Sequence, residues 1–183
     1  DGDSVSARHY PVNPEAVPRP VAHAVPTPGP IVIDGRLDEP GWALAEPLTD
    51  FVQSMPRTGH PASKRTVARV LFDANHLYVS AVCYESDPDG IMVAGLEHDF
   101  DTSGGDLFGV SLDTFLDRRN SFLFMVNPGG ALRDEQTFND SRNISVAWEG
   151  VVHVKTAVAD SGWIVEMAIP LTTLRFTAGR ADQ

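Results

Sequence analysis

Apolar and polar positions alternate with a period of two along several stretches of the chain. In Thr66–Phe72, Val67, Arg69 and Leu71 face one way and Ala68, Val70 and Phe72 the other. Residues 77–84 place Leu77, Val79, Ala81 and Cys83 on an apolar face and Tyr78, Ser80, Val82 and Tyr84 on the opposite one. Residues 163–169 align Trp163, Val165, Met167 and Ile169. A two-residue period is the signature of a strand, because successive side chains point to opposite faces of the pleat. Turn residues separate these runs: residues 73–76 after the first, and Asp160, Ser161 and Gly162 before the third.

A second kind of pattern fills residues 105–128. Two runs, 107–115 and 122–126, are apolar at nearly every position and flank the polar link Asp117, Arg118, Arg119, Asn120. Runs of this length bounded by turn residues predict a hairpin, and continuous apolarity predicts that both its faces are covered. The hairpin is therefore expected in the middle of a sandwich, with other strands packed around it. Residues 131–138 predict a strand whose outer face carries Arg133 and Glu135, and residues 146–158 hold one or two more.

Shorter elements complete the pattern. Ile31, Val32 and Ile33 predict a strand, residues 48–54 another, and residues 41–45, preceded by Glu39 and Pro40, a helical turn with Trp42 stapling it to the sandwich. Residues 171–174 predict a second helical turn. Many short strands with almost no helix define an all-β fold, an antiparallel sandwich of immunoglobulin or jelly-roll type. Residues 1–30 stand apart. Seven prolines among them predict an extended linker with no core of its own, so the sandwich is expected over residues 31–183. Residues 85–105 are long, polar and glycine-rich, the kind of loop that carries function.

Composition narrows the function. The formal net charge is -11 and the pI about 4.8, which removes nucleic acid as a partner because no basic patch releases counterions. The single Cys83 excludes an internal disulfide and a thiolate metal site, and its place on an apolar face makes it a small core residue. No apolar run reaches the ~20 residues of a membrane helix.

Three acids fall close together in the long loop: Asp99, Asp101 and Asp106. Carboxylate oxygens at this density could hold a calcium ion, with backbone carbonyls completing its shell; the other reading is solvated turn carboxylates. His98 beside them reads as a surface or capping residue, since calcium prefers oxygen. Trp163 alternates with core residues and reads as structural. Trp148 lies outside the regular alternation, and a loop tryptophan can stack on a sugar face. No nucleophile elbow, zinc-protease helix, phosphate loop or dinucleotide fingerprint occurs, so no catalytic residue is expected.

Four segments, taken in order, resemble the family 9 carbohydrate-binding module. They are residues 33–42 (Ile-Asp-Gly-Arg-Leu-Asp-Glu-Pro-Gly-Trp), Val70 to Asp73 with Leu77 to Val79, residues 105–113, and residues 162–170 (Gly-Trp-Ile-Val-Glu-Met-Ala-Ile-Pro). The likeness runs from Ile31 to about Phe176. It is nearest to the variety at the N-terminus of large bacterial outer-membrane proteins of unassigned function. The resemblance implies a β-sandwich, secretion to the periplasm or outer membrane, structural calcium and a sugar-binding ancestry linked to carbohydrate catabolism. It places the family's sugar contacts near Ser103, Asp106, Gly109, Met125 and Asn127. A stacking tryptophan falls on Ser103, a glutamate on Gly109 and an arginine on Met125, while an asparagine is kept at Asn127. The implied partner is a glycan or cell-envelope polysaccharide, held through the 96–109 loop, Asn127 and Trp148. A second reading keeps the sandwich but makes it a structural or interaction head on its own C-terminal outer-membrane barrel. An open sheet edge would also invite pairing with a second chain.

Overall fold

The computed structural model describes residues 21–140 and 142–175. The predicted alternations become strands: β1 (Val25–Pro26), β2 (Thr66–Phe72), β3 (His76–Tyr84), β4 (Phe108–Leu112), β5 (Ser121–Val126), β6 (Leu132–Phe138), β7 (Asn143–Ser145), β8 (His153–Ala159) and β9 (Gly162–Pro170). The one α-helix among the described residues, α1 (Pro40–Leu44), opens with proline at its first position, where the missing N–H costs nothing.

Two sheets result. The first has the order β1-β2-β3-β9-β8, and the second β4-β5-β6-β7. All pairings are antiparallel except that of β1 with β2. The expected antiparallel sandwich is the fold observed.

The alternation decides what each face buries. Val79 and Ala81 of β3 and Val165, Met167 and Ile169 of β9 meet Phe122, Phe124 and Val126 of β5 in the main core. Burying such side chains contributes about 1.5–3 kcal/mol each. Trp163 is in the same cluster, and half-buried Cys83 packs against it, with burial pushing its thiol up to about 11. A smaller core lies on the other side of the first sheet, where Trp42 and Ala45 cover Leu71, Tyr78 and Ala168.

Four expectations change. Residues 31–33 form no strand; Ile31 and Ile33 pack against the Trp42 cluster instead, while Val32 is exposed. Val25 and Pro26, within the expected linker, pair with Leu71 and Phe72, so the sheet begins earlier than Ile31. Residues 1–20 of that linker lie outside the described residues. Residues 48–54 make only isolated bridges, Leu48 with Ala68 and Val52 with Pro61. Asp50 adopts a left-handed φ of 58°, which breaks the extension between them. Finally, the 105–128 hairpin is not central. β4 is an edge strand, with Gly109 and Ser111 exposed, so of the two hairpin strands β5 alone is flanked on both sides.

Candidate functional site

The second sheet presents an outer face away from the core. Register places Gly109 opposite Met125, Ser111 opposite Leu123, and Met125 opposite Arg133. Arg133 donates from Nε to Glu135 Oε1 at 2.7 Å and pairs with it again through Nη2. It also donates from Nη1 to the carbonyls of Asp99 and Phe100, tying the long loop to β6.

That loop is closed at its base by Asp106. The Asp106 N–H donates to the Met92 carbonyl, and Asp106 Oδ2 accepts from the Met92 N–H, both at 2.8 Å. Asp101 Oδ1 accepts from the Ser103 N–H at 2.9 Å, which holds its carboxyl below the usual range. Ser103 is exposed on this turn. Asp99 has a left-handed φ of 59° and turns elsewhere. The three acids expected to share a calcium ion therefore do not converge: Asp101 serves the Ser103 turn and Asp106 the loop base. As a set they do not fit the ion.

Asn127 lies at the end of β5 on the side of Met125, fully buried. Its Nδ2 donates to the Gly95 carbonyl at 2.6 Å and its Oδ1 accepts from the Ala131 N–H at 3.1 Å. Leu96 and Val93 cover the neighbouring Gly129. Asn127 thus fastens the loop to the 127–131 turn and presents no exposed contact. Trp148 is also used by the fold: its ring packs on Phe122 at 4.8 Å and Phe124 at 5.7 Å between centroids. Those rings belong to the inner face, so Trp148 and Met125 lie on opposite sides of the sheet.

A different group does converge. His98, Asp99 and Asp134 bring their ligand-type atoms within 4.8 Å of one another, the one such trio among the described residues. His98 Nε2 lies 3.1 Å from Asp134 Oδ1, and His98 Nδ1 lies 3.5 Å from Asp99 Oδ2. Asp134 is 0% exposed; its Oδ2 accepts from the Gly150 N–H at 2.6 Å. Burial pushes the Asp134 carboxyl up, the Gly150 N–H and His98 pull it down, and the neighbouring Asp99 and Glu149 raise it further. His98, read from sequence as a surface group, is half of this contact. The signal was in the β6 alternation: with Arg133 and Glu135 outward, Asp134 has to point inward.

Elsewhere, an open cleft of about 500 Å³ lies on the outer face of the first sheet, lined by Ile31, Ile33, His76, Tyr78, His153 and Lys155 among others. Tyr78 there is buried and donates its hydroxyl to Asp73 Oδ2 at 2.7 Å.

The architecture is that of the family 9 carbohydrate-binding modules. No protein-family model and no curated sequence matches the chain. Among solved structures, a family 9 module from Caldicellulosiruptor kristjanssonii in complex with glucose superposes with a TM-score of 0.57 at 20% identity, over 85% of this chain and 72% of that one. The module from the same organism with cellotriose gives 0.55 at 20% identity, over 80% of this chain and 66% of that one. A candidate carbohydrate-binding protein from Bacteroides uniformis gives 0.55 at 13% identity, covering 70% of this chain and 62% of that one. The chain thus spans about two thirds of the length of these neighbours. At such identities the likeness establishes the fold.

Proposed function

We propose that this chain is a non-catalytic, secreted glycan-binding domain that holds its ligand on the outer face of β4, β5 and β6, beside the 91–105 loop. The observation that carries the reading is the register. Met125 and Gly109, where the family's arginine and glutamate contacts fall, are direct partners, and Met125 is in turn the partner of Arg133. An arginine–glutamate pair stands on the adjacent strand of the same face, with partly exposed Arg133 as the group that can reach a ligand and buried Glu135 fixing its orientation. Guanidinium and carboxylate groups orient sugar hydroxyls through fixed hydrogen bonds. Trp148 is spent on the core, so no tryptophan provides a stacking plane here, and the expected affinity is weak, about millimolar.

The test is a calorimetric titration of the folded chain with mono- and oligosaccharides and cell-envelope fragments, with amide chemical shifts to map the contact. Saturable binding that shifts Gly109, Ser111, Leu123 and Met125 is the expected result. Binding that shifts the His76 and His153 cleft instead would overturn the assignment of the face. An Asn127→Ala variant is not informative about contact, because it unfastens the loop from the fold.

One observation favours the second reading, a protein-interaction head on an outer-membrane barrel. Met92 is 57% exposed and Leu96 73%, on a loop that borders the same face. Exposed large apolar side chains suit a protein partner better than a polar sugar. Absence of saturable binding across the panel, with the protein folded, would leave this as the function of the face.

A further inference from the structure

We infer that His98, Asp99 and Asp134 form a binding site for one divalent transition-metal cation, with zinc as the reference ion. The site takes Asp99 from the loop acids but neither Asp101 nor Asp106, and it does not depend on the glycan reading.

Two carboxylate oxygens are orphaned. Asp99 Oδ1 and Asp134 Oδ1 are buried and accept no hydrogen bond. The 3.1 Å approach of His98 Nε2 to Asp134 Oδ1 is short but not aligned as a hydrogen bond. Asp134 is fully buried, and a buried carboxylate oxygen with no donor is costly unless a cation meets it. The chain places an imidazole nitrogen and a second carboxylate beside this oxygen.

Geometry and charge agree with one ion. Metal–ligand bonds of about 2.0–2.2 Å put neighbouring ligand atoms roughly 3–3.5 Å apart. The 3.1 Å separation between His98 Nε2 and Asp134 Oδ1 is in that range, and no pair of ligand atoms in the trio is more than 4.8 Å apart. Two carboxylates and a neutral imidazole around a dication leave no net charge in the site. One nitrogen among oxygens selects the borderline ions over calcium, which takes six to eight oxygens. Three protein ligands leave further positions for water.

The site also has structural support. Phe100 is 1% exposed, the Asp99 N–H donates to the Leu132 carbonyl at 3.0 Å, and Arg133 grips the Asp99 and Phe100 carbonyls. The backbone at Asp99 is thus held against β6 before any ion arrives. An ion there would join the 98–100 segment to β6 and, through Asp134 Oδ2, to Gly150.

The experiment uses the whole chain, stripped with chelator and exchanged into chelator-free buffer, titrated calorimetrically with zinc chloride, manganese chloride and calcium chloride. One zinc per chain is expected, with calcium at least about tenfold weaker. His98→Ala should weaken zinc at least about tenfold and leave the metal-free thermal midpoint within about one degree, since the ring is half exposed. Zinc at a hundredfold excess over its Kd should raise the wild-type midpoint by about 5 °C or more. Asp134→Asn tests the buried ligand but loses part of its acceptor role to Gly150, so His98→Ala is the deciding variant. Absence of saturable zinc binding, zinc binding unchanged by His98→Ala, or calcium binding as tight as zinc would each overturn the assignment.

Discussion

Replacing Glu166 with alanine is expected to remove about 3–5 kcal/mol of stability, measured as a shift of the urea midpoint at constant slope. Glu166 is buried on the outer face of the first sheet, beneath the 31–45 segment. Its Oε2 accepts from the N–H groups of Asp34 and Gly35, each at 3.0 Å, and its Oε1 accepts from Trp42 Nε1 at 3.2 Å. Alanine leaves these donors without an acceptor, at about 1–3 kcal/mol for each buried one. It also unties the segment that covers Tyr78 and Leu71. Glutamine keeps the volume but turns an amide NH2 toward at least one donor, so its cost is smaller, about 1–2 kcal/mol.

The pH dependence has a sign. Burial pushes the Glu166 carboxyl above its ordinary value of 4.5, against the pull of its donors, of which Gly35 is the strongest. Between 4.5 and the raised value the folded state binds more protons than the unfolded chain. Stability from this group is therefore greatest at low pH and falls as pH rises through that window. Glu166→Gln abolishes this slope. The advantage of wild type over the variant should shrink from about pH 4.5 toward neutrality; an advantage that grows with pH would show that the donors outweigh burial.

Gly162→Ala is expected to cost at least about 3 kcal/mol and to leave little folded protein at physiological temperature. Gly162 starts β9 opposite Tyr84, at a φ of 135°. An added Cβ would lie 2.1 Å from the Cys83 carbonyl oxygen and 2.8 Å from the Glu85 nitrogen. Both are backbone atoms, Cys83 within the nine-residue β3–β9 ladder and Glu85 just past it with its N–H donating to the Ser161 carbonyl, so neither can yield without opening that end of the ladder. Gly104 provides the contrast. It too has a positive φ, of 83°, but nothing lies within 4 Å of its Cβ position. Gly104→Ala should cost only about 1 kcal/mol. Equal effects of the two substitutions in thermal unfolding would refute the close approach at Gly162.

The strands that follow strict alternation, β2, β3, β6 and β9, were legible because both of their faces obey a local rule. Glu166 was not. Alternation sends it outward, where a carboxylate normally meets water, and only a distant segment decides that this outer face is covered. Two of the four segments that carried the family resemblance, residues 33–42 and 162–170, turn out to meet at this one carboxylate. The same limit applies to the loop. Proximity in sequence grouped Asp99, Asp101 and Asp106, but Asp101 caps its own turn, Asp106 reaches back to the Met92 N–H at the loop base, and Asp99 instead meets Asp134, far along the chain. Apolar runs misplaced the 105–128 hairpin because Leu107, Phe115 and Leu116 count as core by type yet lie partly in solvent. Asn127 kept the identity of a sugar contact while the loop folded over it.

The bond from Gly35 to Glu166 spans 131 residues, and β3 likewise waits for β9. The second sheet, in contrast, is a chain of consecutive hairpins from β4 to β7. Closing long loops costs entropy that only late contacts repay. As the chain lengthens from its N-terminus, β2 and β3 must remain an unfinished ribbon until residue 170 has emerged. Pulse-labelled hydrogen exchange during refolding should therefore protect amides of β5 and β6 before those of β9, with Gly35 among the last. Protection of Gly35 in the earliest phase would rule out this order. Until that last contact closes, the ribbon edge is the part of the molecule most open to capture by another chain or by a chaperone.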